Sequence, residues 1–176
     1  MALRVAINGF GRIGRLVYRA ILEANNDGIE VVCINDLGPT ESNAHLLKFD
    51  SSHGVLPQDI KVDGDTMDAG QGPVRVTAER DPANLPWKEL EVDVALECTG
   101  FFASKEKASA HLEAGAKRVI VSAPASGADI TVVYGVNSDQ ITADHTVISN
   151  ASCTTNCLAP VAYVLNNAVG IERGFM

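Results

Sequence analysis

The sequence predicts an α/β fold with a doubly wound, mostly parallel sheet and a small antiparallel insert. Short apolar runs alternate with segments whose apolar residues recur at helical spacing. The first run, at residues 3–9, ends in glycine, after which positions 13, 16, 17, 20 and 21 mark one helical face. A 46% apolar composition in 176 residues also allows a substantial core. Strands that alternate with helices favour a parallel sheet covered on both faces.

The first half of the chain begins with a β-α-β unit. A strand at residues 3–9 and a helix are followed by a second strand at residues 29–36, and Thr40 is a plausible N-cap for a short helix at residues 41–49. Residues 60–77 then alternate between apolar and polar around the pair Asp63 and Gly64, which predicts an antiparallel hairpin insert.

The second half continues the alternation. A strand within residues 92–100 precedes a helix that Ser104 caps and that runs to about Ala116. Three further strand candidates lie at residues 117–125, 130–136 and 145–152. A final helix begins near Ser152 and ends near Gly170.

Charge and composition exclude several classes of protein. Fourteen basic and 22 acidic residues give a net charge of -8, spread along the chain, which argues against nucleic-acid or anionic-membrane binding. No apolar run approaches the ~20 residues of a membrane span, and the N-terminus lacks a secretory pattern, so we expect a cytoplasmic protein. Four cysteines are too few for a disulfide framework and are expected to be reduced.

A glycine motif follows the first strand. Gly9, Gly11 and Gly14 match G-x-G-x-x-G between a strand and a helix, where the first glycine makes the turn, the second admits a pyrophosphate and the third allows close packing. Backbone N–H groups of Arg12 and Ile13 would face the phosphates at the positive helix end. The motif therefore predicts a Rossmann-type dinucleotide-binding domain; a glycine turn that serves packing alone is the alternative.

Asp36 ends the second strand about 20 residues after the motif, where a carboxylate accepts hydrogen bonds from ribose hydroxyls. A 2′-phosphate would meet a like charge there, so we expect NAD rather than NADP. Arg80 and Ser122 each end an element near the sheet edge at which ligands of such folds bind. On spacing alone, either residue could equally be an ordinary surface or turn residue.

Two cysteines lie in the stretch SNASCTTNC. If the last helix begins near Ser152, Cys153 lies in its first turn, where unpaired N–H groups and the helix dipole stabilise a thiolate nucleophile. Cys157, one turn further along, is expected to pack. Burial of both thiols as small hydrophobes and a shared metal are the alternatives, but no CxxC pair or nearby histidine completes a tetrad, so no metal site is predicted. The four histidines, 45, 53, 111 and 145, are expected to be surface or hydrogen-bonded polar residues.

The segments NGFGRIGR, INDL, ERDPANLPWKEL, LECTGFF, AGAKRVIVSAP and SNASCTTNCLAPV occur in this order. Through them the chain resembles the glyceraldehyde-3-phosphate dehydrogenase family over essentially its whole length. SCTTNC also occurs in the sister erythrose-4-phosphate dehydrogenases, whereas LAPV is more similar to the glyceraldehyde enzymes. The resemblance implies an oxidoreductase of glycolysis that uses NAD, glyceraldehyde 3-phosphate and inorganic phosphate, and a homotetrameric parent protein.

The resemblance also implies residue roles. Cys153 attacks the aldehyde to give a thiohemiacetal, which passes a hydride to NAD and leaves a thioester that phosphate splits. Ser152 and Thr154 hold the substrate or phosphate groups, and five residues hold NAD: Arg12, Ile13, Asp36, Arg80 and Ser122.

Two domains are expected: an NAD-binding domain at residues 1–151, and at residues 152–176 the nucleophile-bearing helix with the start of a catalytic domain that is otherwise absent. The family's histidine base would lie beyond Met176, so we expect a truncated chain that binds NAD and turns over poorly. The alternatives are an erythrose-4-phosphate dehydrogenase and, for this chain, a nucleotide-binding or thiol redox module without turnover.

Overall fold

A computed structural model describes residues 2–24 and 27–176. The strands are β1 (Leu3–Asn8), β2 (Ile29–Asn35), β3 (Phe49–Asp50), β4 (Gly54–Val55), β5 (Lys61–Asp63), β6 (Thr66–Asp68), β7 (Pro73–Thr77), β8 (Val94–Glu97), β9 (Arg118–Val121), β10 (Ile130–Thr131) and β11 (Val147–Ser149). The helices are α1 (Arg12–Ala24), α2 (Thr40–Lys48), α3 (Lys105–Ala108), α4 (Ala110–Glu113) and α5 (Cys153–Val169), with 3-10 turns at Pro82–Asn84 and Ser138–Gln140.

A nine-stranded sheet in the order β10-β11-β9-β8-β1-β2-β7-β6-β5 forms the centre of the fold. Neighbouring strands from β10 to β7 pair in parallel, and β7, β6 and β5 pair antiparallel. The predicted doubly wound sheet with an antiparallel insert is therefore confirmed. Because β1 pairs with both β2 and β8, the strand order reverses beside β1, and a crevice opens there at the carboxyl ends of the strands.

Hydrophobic residues fill both faces of this sheet. Alternate side chains of β1 point in opposite directions, so Ile7 joins one buried cluster and Ala6 another. The first cluster includes Tyr18 of α1 and Leu47 of α2, and the second includes the fully buried Trp87. This packing fixes the helices against the strands whose ends form the crevice.

Three local predictions need correction. Thr40 is not the N-cap of α2: Pro39, with φ -60°, occupies that position, and a proline side chain offers no acceptor. The helix capped by Ser104 is interrupted at Ser109, whose hydroxyl donates to the Lys105 carbonyl at 2.7 Å. The strand expected at residues 130–136 stops at Thr131.

The early end of β10 has a side-chain cause. Asn137 accepts a hydrogen bond from the Val133 N–H at 2.8 Å and donates one to the Thr131 carbonyl at 3.0 Å. These contacts use backbone groups that a longer strand would have paired with a neighbour.

The last helix agrees with its predicted bounds. The Ser152 hydroxyl caps α5 by accepting the Thr155 N–H at 3.0 Å, and Gly170, with φ +75°, follows the last residue. No residue of α5 is buried against the rest of this chain.

Candidate functional site

A cavity of about 470 Å³ opens at the carboxyl edge of the sheet where the strand order reverses. Four residues singled out in the sequence line it: Gly9, Gly11, Asp36 and Arg80. Its other lining residues are Asn8, Asn35, Leu37, Glu79, Cys98, Thr99, Phe101 and Phe102. Polar strand ends therefore form the floor of the cavity, and apolar side chains form part of its walls.

The three motif glycines have different surroundings. Gly9 has φ +89°, and a Cβ atom there would lie 2.7 Å from the Thr99 nitrogen. A Cβ on Gly14 would lie 2.2 Å from the Gly9 carbonyl oxygen, whereas one on Gly11 would meet no atom within 4 Å. Gly9 and Gly14 thus satisfy the turn and the helix packing, and Gly11 leaves open space at the start of α1.

The Asp36 carboxylate is held at the cavity wall by backbone donors. Its Oδ2 atom accepts the Phe10 N–H at 2.8 Å, and its Oδ1 atom accepts the Gly38 N–H at 2.9 Å. Each carboxylate oxygen retains acceptor capacity beyond one such bond. The half-buried carboxylate can therefore also accept hydroxyl donors from the cavity.

Arg12 does not line this cavity. Its Nη1 atom pairs with the Asp50 Oδ2 atom at 3.1 Å. The backbone N–H groups of His53 and Ser52 hold the pKa of Asp50 well below its usual range, so the carboxylate stays charged for this pair. The backbone N–H of Arg12 lies in the first turn of α1 and has no acceptor within the helix.

A second cavity, of about 290 Å³, lies at the start of α5. It brings together Ile13, Ser122, Ser152 and Cys153 from the predicted set. Cys98 lines both cavities, so the two are adjacent. Burial and the nearby Glu97 charge raise the pKa of the Cys98 thiol to about 11, despite a hydrogen bond with Ser122, and Cys98 is therefore a neutral wall between the cavities.

Cys153 is exposed at the first position of α5. Ser152 caps the N–H of Thr155, while the N–H groups of Cys153 and Thr154 have no acceptor within the helix. Thr154 is exposed and lines neither cavity. The expectation that Cys157 packs is wrong for this chain, because Cys157 is exposed as well; burial of both thiols is excluded for the same reason.

The helix start contains a strained residue that the sequence did not reveal. Ala151, directly before the cap, is buried and has φ +57°, a conformation that L-residues rarely adopt. The Asn156 side chain supports this turn by donating to the Asn150 carbonyl at 2.7 Å and to the Ser152 carbonyl at 3.0 Å. The backbone before Cys153 is thus held in place from both sides of Ala151.

Comparison with known proteins decides the family. The family model for the glyceraldehyde 3-phosphate dehydrogenase NAD binding domain matches residues 3–105, and the model for the C-terminal domain of that family matches residues 152–176. The chain belongs to the glyceraldehyde-3-phosphate dehydrogenase family. The first cavity, with Gly9, Asp36 and Arg80, is therefore part of an NAD-binding domain, as the glycine motif predicted.

Curated relatives carry the same name. Glyceraldehyde-3-phosphate dehydrogenases of Xanthobacter flavus, Cereibacter sphaeroides and Zymomonas mobilis subsp. mobilis are 69%, 63% and 60% identical to this chain over its whole length. The match covers 52% of each relative, so the chain spans about half their length. Among residues 2–24 and 27–176, no helix is long and apolar enough to cross a membrane.

Sequence reasoning missed a buried polar network beneath the first cavity. Asn8, Asn35 and Glu97 are aligned in register at the ends of β1, β2 and β8, and all three are buried. Each follows an apolar run, a signal visible in the sequence, but their contact depends on which strands are neighbours. His111, expected to be a surface or hydrogen-bonded residue, is fully buried and bonded to Glu97 and Trp87.

Proposed function

We propose that this chain provides the cofactor-binding domain and the nucleophile of an enzyme that oxidises glyceraldehyde 3-phosphate with NAD and inorganic phosphate. The product is 1,3-bisphosphoglycerate, and the reaction is a step of glycolysis. One observation carries the proposal: Cys153, at the start of α5, lines a cavity that shares the wall residue Cys98 with the cavity of the NAD-binding domain.

The residues of the crevice fit NAD. Open space at Gly11 admits a pyrophosphate beside the backbone N–H groups of Arg12 and Ile13. The Asp36 carboxylate suits the hydroxyls of the adenosine ribose and disfavours a 2′-phosphate, and Arg80 lines the same cavity. Ser122, in the second cavity, lies on the side of Cys153. When bound, NAD supplies the acceptor for the hydride of the aldehyde carbon.

The chemistry of this chain centres on the Cys153 sulfur. As a thiolate it adds to the aldehyde carbon, so that a C–S bond forms and the carbonyl oxygen takes the electron pair and a proton. Loss of the hydride from carbon, together with loss of the hydroxyl proton to a general base, re-forms the C=O bond and leaves the acyl group on the sulfur as a thioester. Inorganic phosphate then attacks the acyl carbon, and the C–S bond breaks to release the acyl phosphate and the thiolate. The hydroxyls of Ser152 and Thr154, with the unpaired N–H groups of the helix start, hold the anionic substrate or phosphate groups.

The remaining parts of the proposal rest on the family resemblance. They are a division into an NAD-binding domain at residues 1–151 and the start of the catalytic domain at residues 152–176, and a homotetrameric parent protein. The proposed cytoplasmic location rests instead on the composition of the sequence. Glyceraldehyde 3-phosphate is preferred to erythrose 4-phosphate because every relative named above is a glyceraldehyde-3-phosphate dehydrogenase.

A chimera tests the activity. This chain replaces the matching half of the Xanthobacter flavus relative, and NADH formation is followed with glyceraldehyde 3-phosphate, NAD and phosphate. We expect turnover that Cys153→Ser lowers by about 10³-fold or more, because the nucleophile is lost. The matched control Cys157→Ser, one helical turn away, retains activity.

Three results would contradict the proposal. A folded chimera without turnover would remove the assigned reaction. Faster turnover of erythrose 4-phosphate would make the protein a member of the sister class. A chain that binds no NAD but whose Cys153 is oxidised and reduced reversibly would favour the thiol redox module.

A further inference from the structure

Glu97 is a buried carboxylate beneath the NAD-binding cavity and is only 1% exposed. Among the residues that the structure describes, no lysine or arginine forms an ion pair with it. A buried charge without a cation is costly unless hydrogen bonds compensate for the lost water. The donors around Glu97 therefore indicate what its charge is used for.

The hydrogen bonds on one side of Glu97 have a fixed direction. The Trp87 indole can only donate, and its Nε1 atom lies 2.9 Å from the Nδ1 atom of His111. His111 therefore carries its proton on Nε2 and donates it to the Glu97 Oε2 atom at 2.9 Å. Trp87 and His111 thus orient the carboxylate from the side away from the cavity.

The opposite side of the network has a fixed direction as well. Asn35 donates to the Asn8 Oδ1 atom at 2.7 Å, and Asn8 donates to the Glu97 Oε2 atom at 2.6 Å. Asn35 cannot exchange its amide atoms, because its oxygen accepts the Glu79 N–H at 2.8 Å and its nitrogen donates to the Glu79 carbonyl at 2.8 Å. The hydrogen bond from Asn35 to Asn8 and the one from Asn8 to Glu97 therefore both run towards Glu97.

The second carboxylate oxygen holds the loop after β8. Its partners are the Thr99 N–H, at 2.7 Å, and the Thr99 hydroxyl. The hydroxyl oxygen in turn accepts the Phe101 N–H at 3.1 Å. Burial opposes ionisation of Glu97, but the bonds from His111, Thr99 and Asn8 outweigh it and hold the pKa of the carboxyl below its usual value.

The two residues at the ends of this network, Glu79 and Thr99, line the cavity. Glu79 follows β7, and Thr99 follows β8; these strands lie on opposite sides of the β1–β2 pair. The Glu97 carboxylate is the point at which the hydrogen bonds from both walls meet.

We propose that Glu97 is a positioning residue for NAD: its carboxylate, through Asn8 and Thr99, sets the separation of the cavity walls that receive the adenosine half of the cofactor. His111 and Trp87 hold the carboxylate in the orientation that this task requires. The inference rests on the proposed function, since it assumes that the cavity binds NAD.

The variant Glu97→Gln tests it. Glutamine keeps the shape, but its NH₂ group must face either the Thr99 N–H or the N–H groups of Asn8 and His111, all of which are donors. We expect the dissociation constants of NAD and of ADP-ribose to rise together by about tenfold or more. Both are measured calorimetrically, well below the unfolding temperature.

The control is Met67→Ala. Met67 is fully buried in β6, outside the cavity, so its truncation lowers the unfolding temperature and leaves the NAD dissociation constant unchanged. If Glu97→Gln merely destabilised the fold, it would bind NAD as tightly as Met67→Ala does. That result would overturn the inference.

A second variant tests the inference independently, in case Glu97→Gln does not fold. Trp87→Phe removes a donor that does not line the cavity and lets His111 turn its proton away from Glu97. We expect NAD to bind about threefold more weakly, and unchanged binding would overturn the inference. Failure of the unmodified chain to bind NAD would instead contradict the proposed function.

Discussion

At the scale of single residues, Gly11 and Gly14 show why one motif serves two purposes. A side chain on Gly14 would collide with the Gly9 carbonyl oxygen, a backbone atom that cannot move without opening the turn. A side chain on Gly11 would meet empty space, and its carbonyl accepts the Arg15 N–H at 3.1 Å in the first turn of α1. Gly14 is therefore required by the fold, whereas the open space at Gly11 agrees with its proposed role of admitting a ligand.

Alanine substitutions separate these two roles. We expect Gly14→Ala to lower the free energy of unfolding by about 2 kcal/mol or more, because the overlap forces the strand and helix apart. Gly11→Ala should change stability by less than about 1 kcal/mol, yet weaken NAD binding by about tenfold or more, since its methyl group occupies the pyrophosphate space. Urea unfolding and NAD titration of both variants check this. Normal NAD affinity in Gly11→Ala would show that the phosphates bind elsewhere.

At the scale of secondary-structure elements, α5 depends on its own capping more than the other helices do. None of its residues is buried in this chain, and Pro160 lies inside it. A proline at that position removes one intrahelical hydrogen bond and crowds the carbonyl four residues earlier. The cap at Ser152 is thus a main support of the segment that presents Cys153.

Removal of the cap should be visible in the helix content. We expect Ser152→Ala to weaken α5 by about 1 kcal/mol, because the Thr155 N–H loses its acceptor, and to lower helicity by circular dichroism. Ser152→Asp, which preserves an acceptor at the cap, should retain the helicity. Equal spectra for the alanine and aspartate variants would mean that the start of α5 is held by other contacts.

These elements also show how far the sequence predicts the fold. The cap at Ser104 was predicted and is confirmed, and the last helix was expected to begin near Ser152, where it does begin. The Thr40 cap was wrong because Pro39 takes the cap position. The antiparallel insert followed from its alternating pattern around Gly64. The shortened β10 could not be predicted, since its end depends on side-chain bonds from a residue outside the strand.

The candidate site was predictable to the same extent. The glycine turn and Asp36 have a recognised spacing after a strand, and the structure places them in one cavity. The shared wall at Cys98 and the Glu97 network depend on which strands are neighbours, which no local pattern specifies. The left-handed conformation of Ala151 likewise had no signal, because alanine rarely adopts it.

At the scale of the whole molecule, buried and hydrogen-bonded titratable groups set the pH range of stability. The pKa values of three aspartates, Asp50, Asp93 and Asp129, and of Glu97 lie below their usual values. For Asp129 the main causes are the bond from Lys105 and the backbone N–H of Val147. Burial raises the pKa of Tyr18 to about 12 and that of the Cys33 thiol to about 11.

The two sets of groups act at opposite ends of the pH scale. For the carboxylates, the unfolded chain takes up protons at higher pH than the folded chain, so their stabilisation is complete above their unfolded pKa values and is lost as the pH falls. For Tyr18 and Cys33, the unfolded chain releases protons first, so stability is lost as the pH rises towards their folded pKa values.

We therefore expect the free energy of unfolding to be nearly constant between about pH 6 and 8, to fall from about pH 5 towards pH 3, and to fall again above about pH 9. Urea unfolding across this range measures it.

Asp129→Asn should reduce the loss on the acid side, because it removes one of the carboxylates that must be protonated. Tyr18→Phe should reduce the loss on the alkaline side, since phenylalanine has no proton to release and the Tyr18 hydroxyl has no hydrogen-bond partner among the described residues. A free energy of unfolding that stayed constant down to pH 3 would show that these carboxylates titrate alike in the folded and unfolded chains.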